Sequence, residues 1–263
     1  MELAENENLS IFSITDHDTV QGTELAEQLS NQFSFQYLAG IELSARYKGK
    51  KIEVLGYNFN TRNQNLKDKL NELQNARRDR ITKILEKLRD IDIEVTLDEV
   101  LEEVGTAQSP GRPHFARTLV KKGYVKSVPE AFDKFLNEGK PAYVRRKTLD
   151  TKEAFKLVHQ ANGVAILPHP LYIEAYDMKK LETILDLLLS WNLEGIEVYY
   201  NYYHTGFNLS KKLMDKAIEF LKEYCKKNDL LVTGGTDFHG DSGILGDIPI
   251  SDENIKLLLD YFS

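Results

Sequence analysis

At 263 residues, with apolar side chains making up 41% of the chain, the sequence is long enough for one large domain or a domain carrying an inserted subdomain, and too apolar for disorder. Lys and Arg number 34 against 41 Asp and Glu, a formal charge of −7 that argues against broad binding along duplex nucleic acid while leaving room for a local basic pocket. Cys225 is the sole cysteine, so no intrachain disulfide can form; MELAENENLS is too acidic and polar to read as a signal peptide, and no apolar run approaches the roughly 20 residues of a bilayer span. A soluble, cytoplasmic protein without a membrane partner is expected.

In chain order, Glu2 to Asn8 reads as the tail of a helix, and Ile11 to Thr19 as a stretch that begins as a short buried strand and stops abruptly in the cluster Asp16, His17 and Asp18. An imidazole between two carboxylates at a strand end suits a divalent metal or acid–base work, whereas Asp18 or Thr19 could equally cap the next helix. Helical spacing of Leu25, Ala26 and Leu29 follows, then strands over Tyr37–Glu42 and Lys51–Phe59, the second carrying Glu53. From about Thr61 to Arg146 strand signals vanish. Leu66, Leu70, Leu73, Ile81, Ile84, Leu85 and Leu88 recur at helical intervals, and further helical pieces span Leu97–Val104, Pro113–Lys122 and Pro129–Asn137. Alternation then resumes: a helix over Thr151–Ala161, the strand of GVAILPHP ending in His169, a helix over Lys179–Trp191, and the strand GIEVYY with Glu197 inside it. A helix over Leu209–Lys227, a strand ending in Asp237 and His239, and a short helix over Asp252–Tyr261 complete the chain.

Strands alternating with helices imply an α/β fold with a mostly parallel sheet. Polar ends on several strands must converge to serve one site, which favours a barrel-like closure; an open doubly wound sheet lacks the glycine-rich fingerprint it would need after the first strand. The expected organisation is a barrel domain over residues 1–60 and 147–263, interrupted by a helical insertion over residues 61–146. Residues at or near strand ends are His17, Glu42, Glu53, His169, Glu197, Asp237 and His239, so three of the six histidines sit at such transitions. Their donor types fit borderline divalent ions, and a carboxylate can bridge two of them. Any one of them alone reads as structural. Together they read as a metal site.

The segments TDHDT, GIELS, KIEVLGYNF, GRPHFA, GKPAYV, ILPHP and GGTDFHG occur in the order found in the PHP (polymerase and histidinol phosphatase) superfamily. The chain resembles in particular the members that dephosphorylate 3′,5′-bisphosphonucleotides and trim short RNA from the 5′ end. The resemblance implies a distorted (β/α)7 barrel with a metal cluster at its mouth. His17, Glu42 (as a bridging carboxylate), His169, Asp237 and His239 would be ligands. Glu53 stands where many relatives carry a ligand histidine before LGY. Divalent ions, Mn²⁺ first and Zn²⁺ or Fe²⁺ as alternatives, would bind phosphate oxygens and activate water for in-line attack. Arg112 and His114, at a helix start, would bind phosphate, with His114 as a proton donor to a leaving group; capping around Pro113 is their structural alternative. Lys140 and Arg146 form a local basic cluster suited to a second phosphate or an RNA backbone, and equally to a solvated surface. The tyrosine-rich Tyr199–Phe207 could stack on a base, or pack at the core and rim.

The family pattern opens with a strand ending in His-x-His, yet no His-x-His occurs in these 263 residues. Met1 falls within what would be the first helix, so the barrel is expected to lack its first strand. Fewer metals than the family's three and weak or no phosphatase turnover are then expected. The implied function is metal-dependent hydrolysis of a nucleotide phosphate ester, a bisphosphonucleotide or the 5′ end of short single-stranded RNA. The alternatives are another small phosphate ester, such as histidinol phosphate, and a catalytically degenerate phosphate-binding module. No duplex nucleic acid is expected as a partner.

Overall fold

The computed structural model describes residues 1–104, 110–200, 202, 209–240, 244–248 and 250–263. In chain order the elements are α1 (Glu2–Asn6), β1 (Ile11–Ile14), α2 (Gln21–Leu29), β2 (Gln36–Leu43), β3 (Ala45–Tyr47), β4 (Lys50–Lys51), β5 (Val54–Tyr57) and α3 (Gln64–Arg89). Then come α4 (Leu97–Glu102), α5 (Arg112–Lys121), α6 (Val128–Ala131), β6 (Leu149–Asp150), α7 (Thr151–Gln160), β7 (Val164–Leu167), α8 (Met178–Leu189), β8 (Gly195–Tyr200), α9 (Lys211–Lys227), β9 (Leu231–Gly235) and α10 (Asp252–Tyr261). They form two compact units, Met1–Leu70 with Thr148–Ser263, and Asn71–Lys147. The division falls inside α3.

The first unit is built on a six-stranded sheet in the order β1-β2-β5-β7-β8-β9. The β1–β2, β7–β8 and β8–β9 ladders are parallel, whereas β5 runs antiparallel to both β2 and β7. The reason is connection length. A parallel crossover needs a dozen or more residues, usually a helix. Between Leu43 and Val54 the chain has room only for the β3–β4 hairpin, with Arg46 opposite Lys51, so the strand returns antiparallel. That reversal brings the start of β5 to the sheet edge where β1, β2 and β7 end, because Leu43 pairs with Val54.

Ile11 of β1 and Leu231 of β9, the two outer strands, pack on the same cluster as Leu38, Tyr57 and Val164, closed off by Leu258 and Phe262 around α10. Shared packing of both edges on one cluster is what a curled sheet does. Six strands with two edges form a half-barrel, short of the seven-stranded ring that the family resemblance implies. Gly40 makes the closest approach in it: a Cβ there would lie 2.0 Å from Ser13 Oγ and 2.6 Å from the Ile14 carbonyl oxygen. Only glycine lets β1 and β2 lie so close at this point.

The second unit has its own core of Ile84, Leu88, Val100, Phe115, Leu119, Ala131 and Leu136. Helix α4 starts on a reciprocal cap, Thr96 accepting from the Glu99 N–H while the Glu99 carboxylate accepts from the Thr96 N–H. Ser127 caps α6 through the Glu130 N–H, and the chain continues into a π-helical turn over Phe132–Leu136. Among the described residues no helix is long and apolar enough to cross a membrane.

Candidate metal centre

Strand ends place the site. Beyond Ile14 the chain stays extended beside β2, with His17 bridged to Glu42. The Glu42 N–H donates to the Asp16 carbonyl at 3.2 Å and the Asp18 N–H to the Glu42 carbonyl at 3.0 Å. This ladder holds the His17 imidazole over the Glu42 carboxylate, Nδ1 to Oε2 3.3 Å. Asp18 has a different task. Its backbone is left-handed, with φ +55°, and its buried carboxylate accepts from the Ser44 N–H at 2.8 Å, fastening the loop to the end of β2. The N-cap position of α2 is Val20 rather than Asp18 or Thr19, and Thr19 Oγ1 accepts from the Gln21 N–H.

Glu53 enters from the reversed strand. Single ligand atoms of His17, Glu42 and Glu53 all lie within 4.8 Å of one another, with both carboxylates buried and His17 half-buried. His169 follows β7 in a left-handed conformation, φ +31°, and its Nε2 lies 3.1 Å from Glu42 Oε1 and 3.6 Å from Glu53 Oε2. Its N–H donates to Glu197 Oε2 at 2.9 Å, which ties the turn to β8. Asp237, after β9 and also left-handed, accepts from the Tyr200 hydroxyl at 2.9 Å. His239 is largely exposed, and its Nδ1 lies 2.7 Å from the Asp237 carbonyl oxygen. The structure thus gathers His17, Glu42, Glu53 and His169, while Asp237 and His239 pair with each other and with Tyr200 beside them. Left-handed non-glycine residues follow three different strands here, a form of backbone strain that clusters at functional sites.

The electrostatics favour a cation. Burial works against the Glu42 charge, but the His169 hydrogen bond and the charges of His17, His169 and Lys51 hold its carboxyl below the ordinary value. Burial likewise opposes the His169 imidazolium, and the Glu42 bond with the Glu197, Glu42 and Glu53 charges outweighs it, raising its pKa. Glu197, fully buried, is pushed up to about 8 by burial, against the His169 charge and hydrogen bond and with help from Glu42 and Asp237. Both carboxylate oxygens of Glu53 and the Nδ1 of His17 are buried without an aligned hydrogen bond. Lys51 Nζ lies 2.5 Å from Glu53 Oε2 as a charge contact lacking that alignment. Imidazole and carboxylate lone pairs converging in this way fit a divalent ion of borderline hardness, and the group is suited to hold one.

The second unit holds the remaining sequence candidates. The His114 Nδ1 accepts from the Gly111 N–H at 2.7 Å, so the ring caps the start of α5, and burial followed by the Arg117 charge lowers its pKa. The Arg112 guanidinium lies over the Phe132 and Tyr143 rings at 5.7 and 5.6 Å and donates to the Leu136 carbonyl. Arg80, which strand-end reasoning passed over, belongs to the same group: burial and then the charges of Arg112 and Arg146 pull its pKa down to about 10. Its only sequence signal was a run of arginines on a helix. Lys140 is exposed. Of the tyrosine-rich stretch, Tyr199, Tyr200 and Tyr202 are described; His204 and its neighbours to Phe207 lie outside the described residues.

Imidazoles and carboxylates gathered at one end of a curled sheet suit a metal-dependent hydrolase. No family model matches the chain. Over 240 residues it is 28% identical to a 5′-3′ exoribonuclease of Haemophilus influenzae, covering 90% of this chain and 82% of that protein. It is 26% identical to a 3′,5′-nucleoside bisphosphate phosphatase of Chromobacterium violaceum (89% and 79%), and 25% identical to a phosphoribosyl 1,2-cyclic phosphate 1,2-diphosphodiesterase of Eggerthella lenta (92% and 88%). A crystal structure from Bifidobacterium adolescentis, of a protein proposed to be a metal-dependent phosphoesterase, superposes with a TM-score of 0.73 at 26% identity, covering 98% of this chain and 88% of the other. These relatives are named as hydrolases of phosphate esters and the structural neighbour as a metal-dependent phosphoesterase, which is consistent with the PHP-type resemblance of the sequence.

Proposed function

We propose that the chain hydrolyses a phosphate ester of a nucleotide, either a nucleoside 3′,5′-bisphosphate or the 5′ end of a short single-stranded RNA, at a divalent-metal centre formed by His17, Glu42, Glu53 and His169. The observation that carries this reading is the convergence of single ligand atoms of His17, Glu42 and Glu53 within 4.8 Å of one another at the sheet edge, His17 Nδ1 and the Glu53 oxygens being buried without an aligned hydrogen bond. The relatives that act on RNA ends and on nucleotide bisphosphates support the substrate class. A divalent ion bound there, Mn²⁺ first among the candidates, would supply Lewis acidity and an activated nucleophile near neutral pH.

The chain's own residues divide the remaining work. Glu42, which shares its two oxygens between His17 and His169, would be the carboxylate that bridges two ions. The bond from the His169 backbone N–H to Glu197 fixes the turn that carries that imidazole. Asp237, steadied by Tyr200, and His239 are proposed as further ligands. In the helical unit Arg112, His114, Lys140 and Arg146 are proposed phosphate-binding residues, with Arg112 preset by its two rings and His114 as a proton donor through the nitrogen its cap leaves free. A second reading, hydrolysis of a small sugar phosphate ester, draws on the cyclic phosphodiesterase relative.

The test is turnover by purified chain. Phosphate release from a nucleoside 3′,5′-bisphosphate and mononucleotide release from a 5′-phosphorylated RNA oligomer are measured with Mn²⁺, Zn²⁺, Fe²⁺ or chelator. Weak but metal-dependent hydrolysis of either substrate is expected, since these 263 residues hold no His-x-His. Hydrolysis that survives chelation, or none with any of the three ions, overturns the proposal.

A further inference from the structure

A cavity of about 390 Å³ opens beside the proposed centre, lined by Lys51, Glu53, Pro168, His169, Tyr172 and Ile173. Among the described residues its lining holds one lysine or arginine, Lys51. We propose that Lys51 is a phosphate-binding residue of this centre, its ammonium passing from Glu53 to a phosphoryl oxygen of the substrate when a divalent cation takes the Glu53 carboxylate. This inference rests on the phosphoesterase reading above.

The backbone holds both residues firmly while leaving one side chain free to move. Lys51 is fixed by its pairing with Arg46 across the β3–β4 hairpin, and the buried Ile52 donates its N–H to the Ala45 carbonyl at 3.1 Å. The Glu53 side chain is 1% exposed and has nowhere to go, whereas that of Lys51 is 61% exposed. The contact between them, 2.5 Å without hydrogen-bond alignment, is chiefly charge attraction. A doubly charged ion with directed coordination outcompetes a single ammonium for the same oxygens. Displaced by a swing of its flexible stem, the ammonium remains at the cavity wall, where an ester phosphate brought to the metal presents its negative oxygens. A lysine suits that task as a point charge. The neighbouring lysines differ: Lys48 and Lys50 are exposed, and Lys48 lies over the ring of the adjacent Tyr47. Only Lys51 of this hairpin is aimed at a buried carboxylate.

Calorimetric titration with Mn²⁺, alone and with inorganic phosphate, is compared for the wild-type chain, K51M and K51R, together with KM for a nucleoside 3′,5′-bisphosphate. Loss of the competing cation should make K51M bind Mn²⁺ about fivefold tighter, the scale of an exposed ion pair. Loss of a charge-assisted bond to phosphate should weaken phosphate and raise KM by about tenfold or more. K51R should fall between K51M and wild type in both. Unchanged or weaker Mn²⁺ binding by K51M assigns the lysine to holding Glu53 in place and overturns the proposal, as does phosphate affinity equal to wild type. A wild-type chain that takes up no Mn²⁺ and hydrolyses no phosphate ester refutes the functional reading, and the inference falls with it; an active wild type matched by K51M refutes the inference alone.

Discussion

Replacing Glu197 with glutamine removes a titrating group from the floor of the site while keeping an oxygen to accept the His169 N–H. In the folded chain burial pushes the Glu197 carboxyl from 4.5 to about 8. Between those values the folded state holds a proton that the unfolded chain has released. Stability therefore is unpenalised below about pH 4.5 and falls as pH rises toward 8. At about 1.4 kcal/mol per unit, the 4.5-to-8 interval amounts to a loss of up to about 5 kcal/mol. His169, raised above 6.5, acts with the same sign as pH rises through its folded value; Glu42, lowered below 4.5, acts with the opposite sign in acid. Comparing the variant with wild type cancels both, provided the two groups keep their surroundings. Urea unfolding in chelator, at steps from about pH 5 to about pH 8, supplies the comparison. E197Q should be no more stable than wild type at the acid end and should gain steadily on it, by several kcal/mol at the alkaline end. A stability difference that stays flat with pH would show that Glu197 is ionised in the fold, and would refute the reasoning.

Three further outcomes are expected. Gly40→Ala forces a methyl group to within 2.0 Å of Ser13 Oγ and 2.6 Å of a backbone oxygen, so thermal unfolding should register a loss of about 1–3 kcal/mol or more; an unshifted melting point would mean that β1 can move off β2 freely. Glu42→Gln removes the shared carboxylate and should weaken Mn²⁺ binding in calorimetry by more than about a hundredfold, while helix content by circular dichroism holds. Retained affinity would take Glu42 out of the ligand set. Arg112→Lys keeps the charge but loses the planar contact with Phe132 and Tyr143, so KM should rise about tenfold with little change in metal affinity; an unchanged KM would leave Arg112 a structural residue of its helix.

The strand ends were legible because short apolar runs that change abruptly to polar residues survive in a single sequence: Ile14 to His17, Ile41 to Glu42, Leu167 to His169. What such a run lacks is direction, since it reads the same both ways. The direction of β5 is set by the β3–β4 hairpin, whose strands of three and two residues in SARYKGKK are too short to show a period. The roles within TDHDT were illegible for another reason. Asp18 and His17 are adjacent and chemically plausible as ligands alike, and only the ladder to β2 turns one toward Glu42 and the other toward the Ser44 N–H. Lys51 and Arg80 were hidden among like charges, where nothing in the sequence separates a cation aimed at a carboxylate or a guanidinium cluster from a solvated one.

The reversed strand also bears on why Glu53 can serve at this site. In an all-parallel sheet every residue at this edge comes from a strand's carboxyl end and hangs on the loop that follows it. Glu53 instead precedes its strand: Leu43 opposite Val54 fixes it immediately beyond the point where Glu42 leaves β2, and Leu55 opposite Ile166 fixes the same strand against the one that leads to His169. One short antiparallel strand therefore sets the spacing between two proposed ligands, Glu42 and His169, and presents a third in the gap. The His169 Nε2 lies within 3.6 Å of carboxylate oxygens from both neighbours because those two registers are locked together. A change of one residue in the hairpin that precedes β5 would shift that register and turn Glu53 to the other face of the sheet. The site depends on the length of the hairpin as much as on the residues it brings together.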